Sequence, residues 1–332
     1  MGMSTEVWQT SEQDFPEASS IEAQLRFLLR YAILAPSPQN SQPWVFAVRE
    51  NQVHLMADLA RGQPVSDPEG RELYLSLGCA LENLLVAAEH FGFAHAVSYF
   101  PQQRQPQLVA TVLFRPGGKT TLVRGGATLN AILRRHNDPG FFSPAPIPES
   151  VRRSLEACCN EAGLALDLTD DYRFRNWIEA LTATADRIDF ANPGFRMELA
   201  HWARHGAFSA AVGSRPPALP EFGPTLLETI ATRSQAKVES APMLGLLRAT
   251  GDSHLTHVRA GQLFQRVWLT ATAAGVSVNP MSQTMRRPEL RSVVAMLIPS
   301  PGWVPQHVFR LGYSLSLVKH RTPRRGVDEV ML

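Results

Sequence analysis

Two segments of the chain repeat the same pattern of glycines, apolar residues and strands, and this repeat restricts the possible folds more than any other feature. The first runs from Gly78 through CALENLLVAAEHF to Gly92, and continues into FAHAVSYF and LVATVLF. The second runs from Gly261 through QLFQRVWLTATAA to Gly275, and continues into VSVNPMSQ and VFRLGYS. Each segment predicts an amphipathic helix that ends at a glycine and is followed by strands. A duplication of this kind predicts two halves related by a pseudo-twofold axis.

The rest of each half fits the same plan of helices and strands. In the first half, helical periodicity begins after Ser19 or Ser20 and stops at Pro36. In the second half, Pro148 suits the first residue of a helix that Gly163 closes. The predicted strands are 44–48, 53–58, 94–100, 108–114, 164–168, 275–279 and 307–314, and the predicted repeat helices are about 77–91 and 258–274. The fold class is therefore α+β, with mixed or antiparallel sheets flanked by helices.

These patterns divide the chain into two repeats, an insertion and two tails. Residues 1–19 are predicted to be a loose tail, 20–125 the first repeat, 126–325 the second repeat and 326–332 a C-terminal tail. The stretch at about 170–252 has no counterpart in the first repeat. It is either an irregular surface excursion or a lid over a site, and the lid is the favoured interpretation because long insertions are often functional.

Composition excludes several classes of partner. The chain has 332 residues, 44% of them hydrophobic, and a formal net charge of +2, which gives no reason to expect a nucleic acid or a membrane surface. No apolar stretch reaches bilayer length, and the polar, acidic N-terminus does not resemble a signal peptide. Three cysteines without a disulfide framework predict reduced thiols and a cytoplasmic protein. No metal-ligand cluster is visible, so no metal is predicted.

The segment from Ala35 to Trp44, APSPQNSQPW, is the most specific motif. It lies between a predicted helix and a predicted strand, and it offers small hydroxyls, two amides and exposed backbone. Asn40 and Gln42 each carry a donor and an acceptor, which suits the alternating edge of a flavin ring. From these residues alone, a capped loop with a Pro-Trp packing anchor is the favoured interpretation.

This motif resembles the flavin-ring motif of the nitroreductase superfamily. The string from Asp67 to Leu73 with Ser76-Leu77-Gly78, and the phrase from Arg196 to Trp202, resemble the Acg-type FMN-binding subfamily. The resemblance extends from about residue 20 to 325. It implies a nitroreductase-like fold, with Pro36, Ser37, Pro38, Asn40 and Gln42 around the ring of FMN.

The resemblance also implies that the second half replaces the second subunit of an ordinary nitroreductase dimer. The phosphate of FMN is then held by Arg135, His136 and Asn137, although Asn137 stands where serine is usual, and by Arg324 and Arg325 of the basic group that starts at Lys319-His320. The backbone of Met281, Ser282 and Gln283 would approach flavin N5. The reciprocal site lacks the motif, so one FMN per chain is predicted.

The implied activity is that of an oxidoreductase. NAD(P)H would deliver hydride to N5 of FMN, and a nitroaromatic, a quinone or a similar small acceptor would take the electrons. No side chain needs to act as a catalytic acid or base. Two alternatives stay open: a protein that sequesters FMN under a lid with little turnover, and a flavin-modifying enzyme. The fused pair forms a pseudo-dimer, and a monomer is one option for its oligomeric state.

Overall fold

The computed structural model describes residues 3–118, 129–204, 224–297, 300–316 and 321–332. Three sequence predictions fall partly outside these ranges: the repeat boundary at 125/126, part of the insertion, and Lys319 with His320 of the terminal basic group. None of the helices in the described ranges combines the length and the apolarity that crossing a membrane requires.

The first repeat is a four-stranded antiparallel sheet with two helices. Its elements are α1 (Ile21–Ala32), β1 (Trp44–Arg49), β2 (Gln52–Ala57), α2 (Arg71–His90), β3 (Phe93–Tyr99) and β4 (Leu108–Pro116), with the strand order β1-β2-β4-β3. Ser20 caps α1 by accepting a hydrogen bond from the Ala23 N–H, as predicted. Helix α2 begins at Arg71, six residues before its predicted start, directly after the left-handed Gly70.

The second repeat has the same strand order. Its elements are α3 (Leu129–Arg134), β5 (Phe142–Ser143), α4 (Glu149–Glu156), β6 (Leu164–Thr169), β7 (Met243–Ala249), α8 (His254–Ala273), β8 (Ser277–Pro280), α9 (Pro288–Met296) and β9 (Val304–Ser314). Leu311 of β9 lies opposite Met243 on one edge and Val278 on the other, so the order is β6-β7-β9-β8, with the short β5 also paired to β9. The two repeats therefore share one topology, as the duplicated pattern predicts.

Helices α2 and α8 cross at the centre of the molecule through their glycines. A Cβ added to Gly78 would lie 2.0 Å from the carbonyl oxygen of Val258, and one added to Gly261 would lie 2.0 Å from that of Leu75. Each glycine thus contacts the residue three positions before the other glycine. This reciprocal contact is what a pseudo-twofold axis between the repeats requires.

The insertion is more regular, and ends earlier, than the predicted range 170–252. It contains α5 (Tyr172–Ala191), α6 (Pro193–Arg204) and α7 (Pro224–Glu239). Its predicted end is wrong, because Met243–Ala249 is the strand β7 between β6 and β9, with Leu244 and Leu247 buried. The insertion therefore connects β6 to β7, at the position of the short β1–β2 hairpin turn in the first repeat.

Neither chain end is a loose tail. Trp8 and Val330 are buried, because each is a large apolar side chain that packs into the main core. The C-terminus runs beside β1: the Phe46 N–H donates to Val330 O at 2.7 Å, and the Leu332 N–H donates to Phe46 O at 2.9 Å. The N-terminus pairs with the C-terminal segment through Ser4 and Arg324.

Candidate cofactor site

The segment between α1 and β1 is a strained turn with a fixed shape. Gln39, Asn40 and Gln42 have φ of 51°, 54° and 52°, a region that side chains other than glycine seldom occupy. The Ser37 hydroxyl accepts a hydrogen bond from the Gln42 N–H at 2.9 Å, which closes the turn. Pro36 to Gln39 remain half-exposed. The predicted flavin motif therefore presents a short, rigid stretch of backbone.

The C-terminal segment is bonded to the inner side of this turn. The Asn40 amide donates to Pro323 O at 2.7 Å, and its Oδ1 accepts from the Arg324 guanidinium at 2.7 Å. Gln42 is fully buried, and its Oε1 accepts from the Arg325 N–H at 2.8 Å while its amide donates to Asn40 O and to Met3 Sδ. Both hydrogens of the Gln42 amide are thus used within the protein. The predicted contact of Gln42 with a ring edge has little support from this geometry.

Two buried guanidinium groups converge at the end of α1. Arg135 donates to Leu34 O at 3.1 Å, and Arg324 donates to Ala35 O at 3.2 Å. Their exposed fractions are 3% and 2%, and among the described residues no carboxylate forms an ion pair with either. The Nε of each has no hydrogen-bond partner. Burial lowers the pKa of Arg135 to about 10, and burial with the nearby charge of Arg135 holds the pKa of Arg324 well below its usual range.

Burial of these two positive charges destabilises the folded protein unless an anion neutralises them. A buried charge without a counter-ion disfavours folding, and two buried charges of the same sign also repel. Guanidinium groups bind phosphate oxygens through paired N–H donors. The two orphaned Nε groups therefore fit a phosphate. Arg325 is less suitable, because it donates to Gln42 O at 3.2 Å and Glu329 O at 2.6 Å.

The other predicted residues of the second repeat lie along β8. The Asn279 amide donates to Asn137 Oδ1 at 2.8 Å, which places the segment after Arg135 beside this strand. His136 is half-exposed, with Nδ1 3.3 Å from Arg134 O. The Met281 N–H donates to Val308 O at 2.8 Å, and its side chain is buried in a hydrophobic cluster with Phe142 and Val308, so this N–H is already used within the protein. Ser282 and Gln283 are half-exposed and stay candidates.

No protein-family model matches the chain. A protein of Mycobacterium tuberculosis that is provisionally named an NAD(P)H nitroreductase is 28% identical over 332 residues, which cover 96% of this chain and 92% of the relative. The similarly named acg protein of that organism is 27% identical over 319 residues, covering 92% of this chain and 94% of the relative. A solved structure from Anabaena variabilis, described as a nitroreductase, shares the fold with a TM-score of 0.53, 10% identity, and coverage of 84% of this chain and 82% of that one. The chain therefore has a nitroreductase-like fold, and its sequence is similar to those of proteins that carry the nitroreductase name.

The insertion helix α6 is anchored to both sides of the candidate site. Glu198 accepts hydrogen bonds from the Val65 N–H at 2.9 Å and the Ser66 N–H at 3.1 Å, and also from the Ser66 hydroxyl. At one end of α6, Phe195 lies under the Arg286 guanidinium, 5.8 Å from ring centroid to Cζ. At its other end, Trp202 contacts Arg61, which donates to Ser41 O in the turn.

Some of these contacts could be predicted from the sequence and others could not. The resemblance of Arg196–Trp202 to a known insertion indicated α6, but nothing in the sequence pairs Glu198 with Ser66. Gln63, which donates to Pro38 O at 2.9 Å, was missed because its partner is a backbone carbonyl.

A buried charged cluster lies beside the loop that carries Val65 and Ser66. Burial, and then the charge of Glu72, raise the pKa of Asp67 to about 6, although its Oδ2 accepts a hydrogen bond from the Leu73 N–H. Arg286 donates to Asp189 of α5 at 3.0 Å. The cluster links the loop after β8 to the insertion.

Proposed function

We propose that the chain is an FMN-dependent NAD(P)H oxidoreductase with one FMN per chain. The observation that carries this proposal is the pair of buried guanidinium groups, Arg135 and Arg324, beside the strained turn. Their unpartnered Nε groups and the lack of a counter-ion suit a phosphate. The relatives named as NAD(P)H nitroreductases and the shared fold support a flavin rather than another phosphate ligand.

The residues of each repeat would have separate roles. Arg135 and Arg324 would bind the phosphate, and the half-exposed backbone of the turn from Pro36 to Gln39 would contact the ring. Asn40 would keep Arg324 in place through its Oδ1. Bound FMN would supply the two-electron chemistry between NAD(P)H and a nitroaromatic, quinone or similar acceptor. The protein's own contribution would be binding, orientation and control of access.

Flavin content and reduction test the proposal directly. The purified protein, reconstituted with FMN, should retain one FMN per chain after gel filtration, and NADPH or NADH should bleach the flavin bands under anaerobic conditions. A nitroaromatic or quinone should restore the bands. Failure to retain any FMN after reconstitution would refute the proposal.

Arg135→Met gives a sharper test, because the two effects expected of it have opposite signs. Removing a buried charge without a counter-ion should raise the melting temperature of the apoprotein. The same change should weaken FMN binding about 10- to 100-fold, the value of one charge-assisted hydrogen bond. Arg153→Ala, on the exposed face of α4, is the control with the same change in net charge. If Arg135 had only a structural role, its replacement would instead lower the melting temperature of the apoprotein.

FMN sequestration is a second candidate function, and the anchoring of α6 favours it. A helix fixed to both walls of the site would keep nicotinamide from stacking on the ring. In that case bound FMN would resist NADPH and NADH while dithionite reduces it. Rapid bleaching by either nucleotide would contradict sequestration and support the oxidoreductase.

A further inference from the structure

The N-terminal segment, residues 3–15, makes close contacts with the part of the chain that carries Arg324. The Ser4 N–H donates to Arg324 O and the Arg324 N–H donates to Ser4 O, both at 2.9 Å. The Trp8 indole N–H donates to Thr322 O at 2.9 Å. Trp8 is only 5% exposed, although the segment around it is polar.

The indole of Trp8 also faces the Arg324 guanidinium. The Arg324 Cζ lies 5.1 Å from the ring centroid, within the range of a cation–π interaction. The guanidinium has further partners in Asn40 Oδ1, the Thr322 hydroxyl and Ala35 O. The orientation of Arg324 is thus fixed by its neighbours, and its Nε remains the group without a partner.

A second set of contacts holds the other end of the segment, away from Arg324. Phe15 stacks on Phe91 with centroids 4.2 Å apart, and the Glu12 carboxylate lies 2.8 Å from His90 Nε2. Of the two aromatic side chains Trp8 and Phe15, only Trp8 contacts Arg324. Substitutions at Phe15 therefore test the packing of the segment, and substitutions at Trp8 also test the position of the Arg324 guanidinium.

We infer that residues 3–15 are part of the cofactor site, in which Trp8 is a positioning residue that orients Arg324 toward the phosphate of FMN. This inference rests on the proposed function. In this role Trp8 would act through the guanidinium groups beside its indole, Arg324 at 5.1 Å and Arg321 at 5.2 Å, and not by touching the flavin ring. Its effect is therefore specific to ligands that carry the phosphate.

Comparison of FMN with riboflavin, which has the same ring and no phosphate, tests this role by fluorescence titration. Trp8→Leu keeps an apolar side chain without an aromatic face, and should weaken FMN binding about tenfold while riboflavin binding changes less than about twofold. Trp8→Phe should retain most of the preference for FMN. Phe15→Leu is the matched control and should leave the ratio of the two affinities unchanged.

The outcomes separate the inference from the proposed function. An unchanged ratio of FMN affinity to riboflavin affinity in Trp8→Leu, with or without equal losses of both, would overturn the positioning role. The proposed function would be unaffected as long as the wild-type protein binds FMN. If Trp8→Leu does not fold, Trp8→Phe and Phe15→Leu still test the role. The role would be overturned as well if the ratio of FMN affinity to riboflavin affinity fell below the wild-type ratio by the same amount in both variants. Absence of FMN binding in the wild-type protein would refute the proposed function itself.

Discussion

The crossing of α2 and α8 gives a quantitative prediction about the duplicated core. An alanine Cβ at Gly78 would lie 2.0 Å from Val258 O, whereas ordinary contacts begin at 3.4 Å, so the helices must separate by about 1.4 Å. A gap of only about 0.5–1 Å already forfeits roughly a quarter to a half of the dispersion energy of a contact, so this larger gap forfeits more. After about 1 kcal/mol of gained helix propensity, Gly78→Ala should lower the free energy of unfolding by about 3 kcal/mol.

The pseudo-twofold axis adds a second, stricter expectation. Gly261→Ala should cost about the same, because its Cβ meets Leu75 O at the same 2.0 Å. Once one substitution has separated the helices, the second Cβ has room, so the double variant should be only about 1 kcal/mol less stable than either single variant. Guanidinium chloride denaturation measures all three free energies. Additive losses, or a single variant within about 1 kcal/mol of wild type, would refute this account of the crossing.

Gly92→Ala is the control for replacing a glycine without a collision. No atom lies within 4 Å of its added Cβ, but its φ is 78°. The substitution should therefore cost only the backbone strain of about 1 kcal/mol.

Three further predictions concern charged side chains. Glu82→Gln removes the carboxylate 2.8 Å from the buried Arg266 and leaves it paired with the partly exposed Glu161, so it should cost about 2–3 kcal/mol in urea denaturation, less than a charge left without any partner. Glu82→Leu combined with Arg266→Met should recover most of that loss; equal losses would contradict the ion-pair argument. Because the folded-state pKa of Asp67 is raised to about 6, the protein should lose stability as pH rises from about 4 to 6. Asp67→Asn should flatten that part of the plot of melting temperature against pH and add about 2 kcal/mol to the free energy of unfolding at neutral pH. An unchanged plot would show that Asp67 is not the titrating group. Glu198→Gln should loosen α6 and speed NADPH reduction of bound FMN several-fold in stopped-flow absorbance; an unchanged rate would exclude the α6 anchor as the barrier.

The repeat and most of its elements could be predicted because their signals are local. The distance from Gly78 to Gly92 recurs between Gly261 and Gly275, and helix periodicity depends only on neighbouring residues. Strand β7 was missed because its sequence, MLGLLRA, is apolar on both faces and shows no alternation. Its identity depends on pairing with β6, on the far side of the insertion.

The candidate site was predictable only in part, because it joins segments that are distant in sequence. The turn motif and both buried arginines could be found by resemblance. The partners of those arginines could not, since Trp8 meets Arg324 only when the two chain ends pair. The partner of the Met281 N–H could not be predicted for a related reason: it donates to Val308 O of β9, a pairing that a loop motif does not reveal.

The broken symmetry between the repeats explains why a single anion site is expected. Asn83 and Arg266 occupy equivalent positions, five residues after Gly78 and Gly261. Each donates a 3.0 Å hydrogen bond near the end of a helix, Asn83 to Tyr31 O in α1 and Arg266 to Cys158 O just after α4.

At the end of α4, the Arg266 guanidinium already has the carboxylates of Glu82 and Glu161 as partners, at 2.8 and 3.1 Å. At the end of α1, the neutral Asn83 occupies the equivalent position, and within the described part of the chain no carboxylate pairs with the two guanidinium groups there, Arg135 and Arg324. At the end of α1, an anion would gain the attraction of two uncompensated charges. At the end of α4, it would compete with two carboxylates. Electrostatics therefore favours the proposed single phosphate-bearing cofactor per chain, although the fold contains two repeats of the same topology.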